Sequence, residues 1–209
     1  MNKYFVIILF IGFFITIRGY ARPITYPGGW TFFINSGNKV YNLGINYTPW
    51  INASLGYNFE YWENKEMLLN SLQLNYLLKR WNNKNSQSNM YLVSGIGFSQ
   101  KIDSINLSTY GGMSFDWETR TYYISYKNRY MNTINSSNYF KQSIRLGWAP
   151  YEGQYGDVHT WFMVKFEHDP NSEYTYTVTP LLRFFKGNNL LEIGINNKRE
   201  ILFNYVFLF

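Results

Sequence analysis

Apolar and polar residues alternate with a period of two along most of the chain. The C-terminal segment shows the apolar half of this pattern in Ile201, Phe203, Tyr205, Phe207 and Phe209. Successive side chains of a β-strand point to opposite faces, so the period predicts strands with two different surfaces. Beyond the N-terminal region, polar residues interrupt every long apolar run, so a spanning helix of about 20 apolar residues is not expected. The pattern therefore predicts an all-β fold.

The same alternation recurs upstream, and turn signals separate the segments. Leu55, Tyr57 and Phe59, for example, alternate with Gly56, Asn58 and Glu60. The turn signals are Ser36-Gly37-Asn38, Thr48-Pro49, Glu63-Asn64-Lys65, Asn82–Asn85, Asp169-Pro170-Asn171 and Lys186-Gly187-Asn188. Three less regular segments count as strands because they fill the gaps at the right spacing: Trp30–Asn35, Leu68–Lys79 and Met90–Gln100. The total is twelve strands, with ten as the alternative.

Composition favours a sheet that faces lipid. Aromatic residues make up 21% of the chain and charged residues only 15%, against about 25% charged residues in a typical soluble domain. In lipid, unpaired backbone groups at an open sheet edge would cost several kcal/mol each, so the sheet must close. We therefore predict a closed antiparallel transmembrane β-barrel over residues 22–209. The alternative is a periplasmic β-sandwich or lipocalin-like barrel, which would bury its aromatic residues inward.

The N-terminus has the three-part layout of an export signal. Lys3 supplies the positive charge, Tyr4–Ile17 is almost entirely apolar, and the small residues Gly19 and Ala21 stand at the −3 and −1 positions of a cleavage site. The alternative, a membrane-anchor helix, would need about 20 apolar residues. Residues 1–21 are therefore predicted to be a cleavable signal peptide.

With this signal, the alternating strands and a last strand that ends on Phe209, the sequence resembles the bacterial outer-membrane β-barrel superfamily. The resemblance implies a multi-pass barrel in the outer membrane of a Gram-negative cell envelope, in contact with lipid. It also implies that the barrel-assembly machinery reads Phe203, Tyr205, Phe207 and Phe209, and that both termini face the periplasm. It indicates no particular function.

The polar half of the alternation places charges inside the barrel. The formal net charge is +6 and falls to about +4 without the signal; it is too scattered to suggest a nucleic-acid partner. The predicted lumen-facing bases are Lys79, Lys127, Arg129, Lys141, Arg145, Lys165 and Arg183, and the acids are Glu60, Asp116, Glu167 and Glu192. We expect either a narrow, porin-like channel that weakly favours anions or a structural barrel plugged by paired charges.

The competing hypothesis is an outer-membrane hydrolase that acts on lipid or peptide. Known outer-membrane lipases use a Ser–His pair, commonly two residues apart, and neither His159 nor His168 has Ser at that spacing. The two histidines are nine residues apart and the chain has no Cys, which argues against a transition-metal site. The acid pairs Asp116/Glu118 and Glu152/Asp157 are better explained by turn capping and pairing with bases such as Arg120. We expect no catalytic residue, metal or cofactor.

Twelve strands place two longer connections, Asn82–Ser88 and Tyr151–Val158, on the periplasmic side. Periplasmic turns of such barrels are usually the short ones. Either the strand count is wrong by one, or Tyr151–Val158 binds a periplasmic partner.

The first testable prediction concerns processing. We expect cleavage after Ala21, because Gly19 and Ala21 occupy the recognition positions behind a short apolar segment. N-terminal sequencing of the protein from the membrane fraction should therefore begin at Arg22. A sequence that begins at Met1 would instead identify the segment as an uncleaved anchor.

Overall fold

The computed structural model describes residues 24–102, 104–134, 138–154 and 156–209, so the predicted signal lies outside the described residues. Within those ranges the chain forms twelve strands, with one 3₁₀ turn at Glu63–Lys65. The strands are β1 Trp30–Gly37, β2 Val40–Trp50, β3 Ala53–Trp62, β4 Met67–Asn82, β5 Gln87–Lys101, β6 Ser104–Glu118, β7 Tyr122–Thr133, β8 Tyr139–Trp148, β9 His159–His168, β10 Tyr176–Lys186, β11 Asn189–Ile195 and β12 Ile201–Leu208. None of the described residues belongs to a helix long and apolar enough to cross a membrane.

The sheet closes on itself. Each strand is antiparallel to the next, and β1 pairs with β12 from Thr31↔Leu208 to Ser36↔Phe203. At the end of this seam, Trp30 N donates to Phe209 O over 2.7 Å and Phe209 N donates to Trp30 O over 3.0 Å. The seam joins the two outermost strands, which would otherwise be the sheet's edges. The prediction of a closed barrel of twelve strands is confirmed, and the ten-strand alternative is wrong.

The two faces of the barrel differ in chemistry. Large apolar side chains such as Leu55, Leu72 and Phe98 are exposed on the outside, whereas Asn58 and Ser71 are buried on the inside. A soluble barrel or sandwich would place these groups the other way round. Aromatic residues such as Tyr57 and Phe98 therefore coat the outer surface, as expected of a barrel that faces lipid.

One β-bulge overturns part of the predicted lumen. The pairing of β4 with β5 shifts between Leu77 and Lys79, so that Lys79 pairs with the outward-facing Met90 and Arg80 pairs with the buried Asn89. A bulge inserts one extra residue and exchanges the faces of the residues beyond it. The assignment of Lys79 to the lumen was therefore wrong: Lys79 points outward, over the ring of Trp81, and Arg80 points inward.

The turn predicted at Thr48-Pro49 is also wrong, because β2 continues to Trp50 and the chain reverses at residues 51–52. The register shifts between Tyr47 and Trp50, and this irregularity accommodates Pro49, which has no N–H to donate to the ladder. Thr48 instead exchanges backbone hydrogen bonds with residues 28 and 29, just before β1.

The connections divide between the two ends of the barrel. One end, here called the terminal end, carries Trp30, Phe209 and every connection that leads from an even-numbered strand to the next odd-numbered one, including residues 149–158 between β8 and β9. The opposite end, here called the far end, carries the other connections. The strand count is therefore correct, and the long β8–β9 connection does lie at the end that carries Trp30 and Phe209.

Candidate functional site: the charged lumen

Ten of the eleven charged residues predicted to line the lumen, all but Lys79, share the interior face of the barrel. Register fixes this directly: Arg129 pairs with Lys141, Arg145 with Lys165, and Arg183 with Glu192. Lys127 pairs with Ser114 and Ser143 on the same face. The full set is Glu60, Asp116, Lys127, Arg129, Lys141, Arg145, Lys165, Glu167, Arg183 and Glu192. Three carboxylates organise these residues.

Glu60 on β3 holds Arg129 on β7. The Arg129 guanidinium donates to both carboxylate oxygens over 2.7 and 2.9 Å and lies 3.9 Å from the ring centroid of Tyr110. The indole N–H of Trp62 donates to the same carboxylate over 3.0 Å. Because β3 and β7 are separated by three strands, this ion pair crosses the lumen rather than following one wall.

Glu167 on β9 binds two ammonium groups. Lys141 Nζ lies 2.7 Å from its carboxylate, and Lys165 forms the second ion pair. Asn38, in the β1–β2 turn, donates to the same carboxylate and to Thr177 Oγ1 over 3.1 Å. The β1–β2 turn is therefore folded into the lumen, in contact with Glu167.

Glu192 on β11 binds two guanidinium groups. Arg145 lies 2.9 Å and Arg183 2.7 Å from its oxygens, and Asn204 Nδ2 donates over 2.7 Å. Arg183 also lies 4.6 Å from the ring centroid of Tyr123. Charged groups this deep in a protein persist because each is paired and hydrogen-bonded.

The acids and the bases differ in exposure. The Glu60, Glu167 and Glu192 side chains are only 0–2% exposed, whereas the bases paired with them remain 13–26% exposed. Lys127 is exposed and has no ion pair among the described residues. The bases form one surface on β7–β10, here called the basic wall: Lys127, Arg129, Lys141, Arg145, Lys165 and Arg183. Solvent in the lumen therefore meets positive charge, with the negative charge buried behind it.

Amide and hydroxyl groups cover the facing strands. Asn58 donates to Gln73 Oε1 over 2.7 Å, Gln73 donates to Asn75 Oδ1 over 2.7 Å, and Asn75 donates to Ser54 Oγ over 3.0 Å. These residues, here called the amide wall, lie on β3 and β4 and carry no formal charge.

An apolar constriction crosses the lumen near the far end. Trp62, Met67, Leu69, Tyr110, Met131 and Tyr139 form one buried cluster from five different strands. The Trp62 and Tyr139 rings meet edge to face with centroids 4.4 Å apart. This cluster was not predicted from the sequence, where the charged residues indicated the lumen. The signal for it is apolar residues in the lumen-facing register near strand ends, such as Trp62 two positions after Glu60.

The histidines do not form a catalytic pair. His159 is the first residue of β9 and lies beside Phe185, whereas His168 is the last and stacks on Tyr176 at 4.7 Å. Their positions differ by nine, so they occupy opposite faces of the strand. Neither has a hydrogen bond to Ser among the described residues. Three His, Asp or Glu side chains do not come together as a metal cluster anywhere in that part of the chain.

The other acids named as candidates have structural contacts. Asp116 accepts a hydrogen bond from Asn89 over 2.7 Å, and Asp157 accepts one from the backbone N–H of Gln154 over 2.8 Å. Glu152 lies 3.3 Å from the guanidinium of Arg120 in an exposed pair.

The residues expected to guide assembly lie on the outer face of the last strand. Phe203, Tyr205 and Phe207 alternate with inward-facing neighbours on β12, and Phe207 stacks on Phe209 with centroids 5.5 Å apart. Tyr205 donates to Asn189 Oδ1 over 2.6 Å. Their recognition by the assembly machinery stays a prediction.

Comparison with known proteins identifies the fold. No protein-family model matches the chain, and no curated protein matches its sequence. The structure is similar to that of the KdgM porin in complex with disordered oligogalacturonate, with a TM-score of 0.51, 9% identity, and coverage of 87% of this chain and 98% of that one. A second structure of the KdgM porin matches with a TM-score of 0.50 and the same identity and coverage. The chain has the fold of the outer-membrane β-barrel porins.

The Glu192 cluster generates a stability prediction. Glu192→Gln leaves Arg145 and Arg183 without their counter-charge, which should lower the free energy of unfolding by about 3–5 kcal/mol. Glu152→Gln is the matched control, because its exposed pair with Arg120 should contribute about 1 kcal/mol or less. Urea unfolding of the barrel in lipid vesicles measures both, and equal stability of the two variants would contradict the role assigned to the cluster.

Proposed function

We propose that this protein is an integral outer-membrane barrel and that its lumen is a narrow channel that favours small anionic solutes. The observation that carries the proposal is the difference in exposure between buried carboxylates and lumen-exposed bases. A fixed charge beside a low-dielectric wall acts strongly on a passing ion, and rings of Arg and Lys favour anions.

The membrane location is supported by the chain's own surface. Exposed aromatic and aliphatic side chains cover the outside of the barrel. In water, a protein with such an apolar surface would tend to aggregate. The export signal expected at residues 1–21 and the seam that closes the sheet fit the same location.

The solute class is inferred from the basic wall, which offers ion pairs to carboxylates, sulfates or phosphates. The amide wall adds no charge, and its groups are mostly buried and bonded to one another. The KdgM porin holds oligogalacturonate, an acidic oligosaccharide. At 9% identity that likeness supports the fold alone, so the preference for anions depends on Lys127, Arg129 and the other bases of this chain.

The second candidate function is a plugged structural barrel. The contact between the Trp62 and Tyr139 rings favours it, because the two side chains meet across the far end. Current recordings from the purified protein in planar bilayers distinguish the two: steady single-channel steps support the channel, and silence of a folded barrel supports the plug. A hydrolase has no comparable support, since neither histidine has a Ser partner among the described residues.

We also propose that the connection 149–158 faces the periplasm and binds a partner there. It is the longest connection at the terminal end, and it exposes Tyr151, Gln154 and Val158.

A cysteine placed in this connection reports which side of the membrane it faces. Gln154 is a better position for it than Gly153, because a Cβ at Gly153 would lie 2.9 Å from the His159 ring. In intact cells a membrane-impermeant maleimide should label Lys198→Cys at the far end and spare Gln154→Cys. Labelling of Gln154→Cys would place this connection outside and reject the periplasmic partner.

Lys127 gives the sharpest test of the anion preference. Lys127→Gln removes one exposed lumen charge that is not needed to neutralise a buried acid, so the reversal potential in a salt gradient should shift toward that of the cation. Lys79→Gln is the matched control, because the bulge places Lys79 on the outer face. Arg145 and Arg183 are poorer choices, since their removal leaves Glu192 unpaired. Equal reversal potentials for Lys127→Gln and the wild type would remove Lys127 from the selectivity mechanism.

A further inference from the structure

The apolar constriction contains a contact that no single wall of the barrel could make. Trp62 ends β3 and Tyr139 begins β8, and these strands lie on opposite sides of the closed ring. Both side chains are almost fully buried, at 4% and 2% exposed. Since their rings touch, the two side chains occupy the lumen between their strands.

The 3₁₀ turn Glu63–Lys65 adds a cation to this contact. Lys65 Nζ lies 4.3 Å from the ring centroid of Tyr139 and 5.1 Å from that of Trp62. A cation over an aromatic face is attracted by the ring quadrupole, and more strongly where water is excluded. Burial lowers the pKa of Lys65, and nearby Lys101 lowers it further, whereas Asp169 opposes the shift.

Both rings are fixed from the sides. The Tyr139 hydroxyl donates to Asp169 Oδ2 over 2.5 Å, and the Trp62 indole donates to Glu60 over 3.0 Å. The turn itself has one backbone anchor to the neighbouring turn, from Glu63 N to Lys39 O over 3.0 Å. Glu66, which ends it, has φ of 47°, in the left-handed region. The rings are therefore held by buried partners, while Lys65 is held by a short connection at the mouth.

We propose that Trp62, Lys65 and Tyr139 form the permeability barrier of the lumen, an aromatic gate that determines which solutes pass. The inference rests on the proposed channel function. Hydrated ions pass poorly through an apolar constriction, because the constriction readily loses its water. The basic wall would then attract anions, and the gate would limit their passage until the Lys65 turn moves away from the rings.

Single-channel recording in planar bilayers tests the gate. Trp62→Ala and Lys65→Ala should each raise the conductance several-fold and shorten the closed periods, whereas Lys65→Arg should keep the wild-type behaviour because it keeps the cation. Two matched controls should leave the conductance unchanged: Asn64→Ala, in the same turn, and Tyr61→Ala, on the outer face of the same strand. Heat-modifiable mobility on gels identifies the folded barrels.

The outcomes separate the gate from the channel. Higher conductance in the two gate variants, with wild-type conductance in both controls, supports the gate independently of the Lys127 test. Wild-type conductance in both variants rejects the gate and leaves the channel standing. An equal rise in Asn64→Ala or Tyr61→Ala would indicate general loosening of the barrel and also reject the gate. Silence of every folded protein, the gate variants included, rejects channel and gate together.

Discussion

The β1–β12 seam is the constraint on which the rest of the structure depends. A strand in lipid has no water to satisfy its N–H and C=O groups, so the sheet must pair its first strand with its last. Closure then gives every strand one face toward lipid and one face toward the interior. The low share of charged residues follows from this division, because charges are tolerated on the inner half and at the ends.

Closure also determines how the interior charges arrange themselves. A carboxylate inside the barrel is neutralised by side chains on the interior face, which come from other strands or from two positions away on its own strand, as Lys165 does for Glu167, because its immediate strand neighbours point outward. Glu192 binds bases from β8 and β10, and Glu60 binds one from β7. Long basic side chains can surround a short carboxylate and still present part of the guanidinium or ammonium to solvent. The positive lumen surface is thus a consequence of how the acids are buried.

The period of two was sufficient to predict the strands, their number and the facing of most charges. The period gave the wrong face for Lys79. One extra residue in β4 exchanges the inward and outward positions beyond it, and the composition of the segment does not reveal this residue. The turn signal at Thr48-Pro49 also failed, because a proline can lie within a strand at an irregularity as well as in a turn. The ion pairs and the Trp62–Tyr139 contact could not be predicted, since alternation fixes the face of a residue but not which strand lies opposite.

Glu60 connects the two features of the lumen that bear most on function. One of its oxygens accepts the indole N–H of Trp62 in the constriction, and both accept the guanidinium of Arg129 in the basic wall. Arg129 in turn lies over Tyr110, another member of the apolar cluster. Residues that share a partner in one network are not energetically independent. The Arg129 charge of the basic wall and the Trp62 ring of the constriction are therefore positioned by the same buried carboxylate.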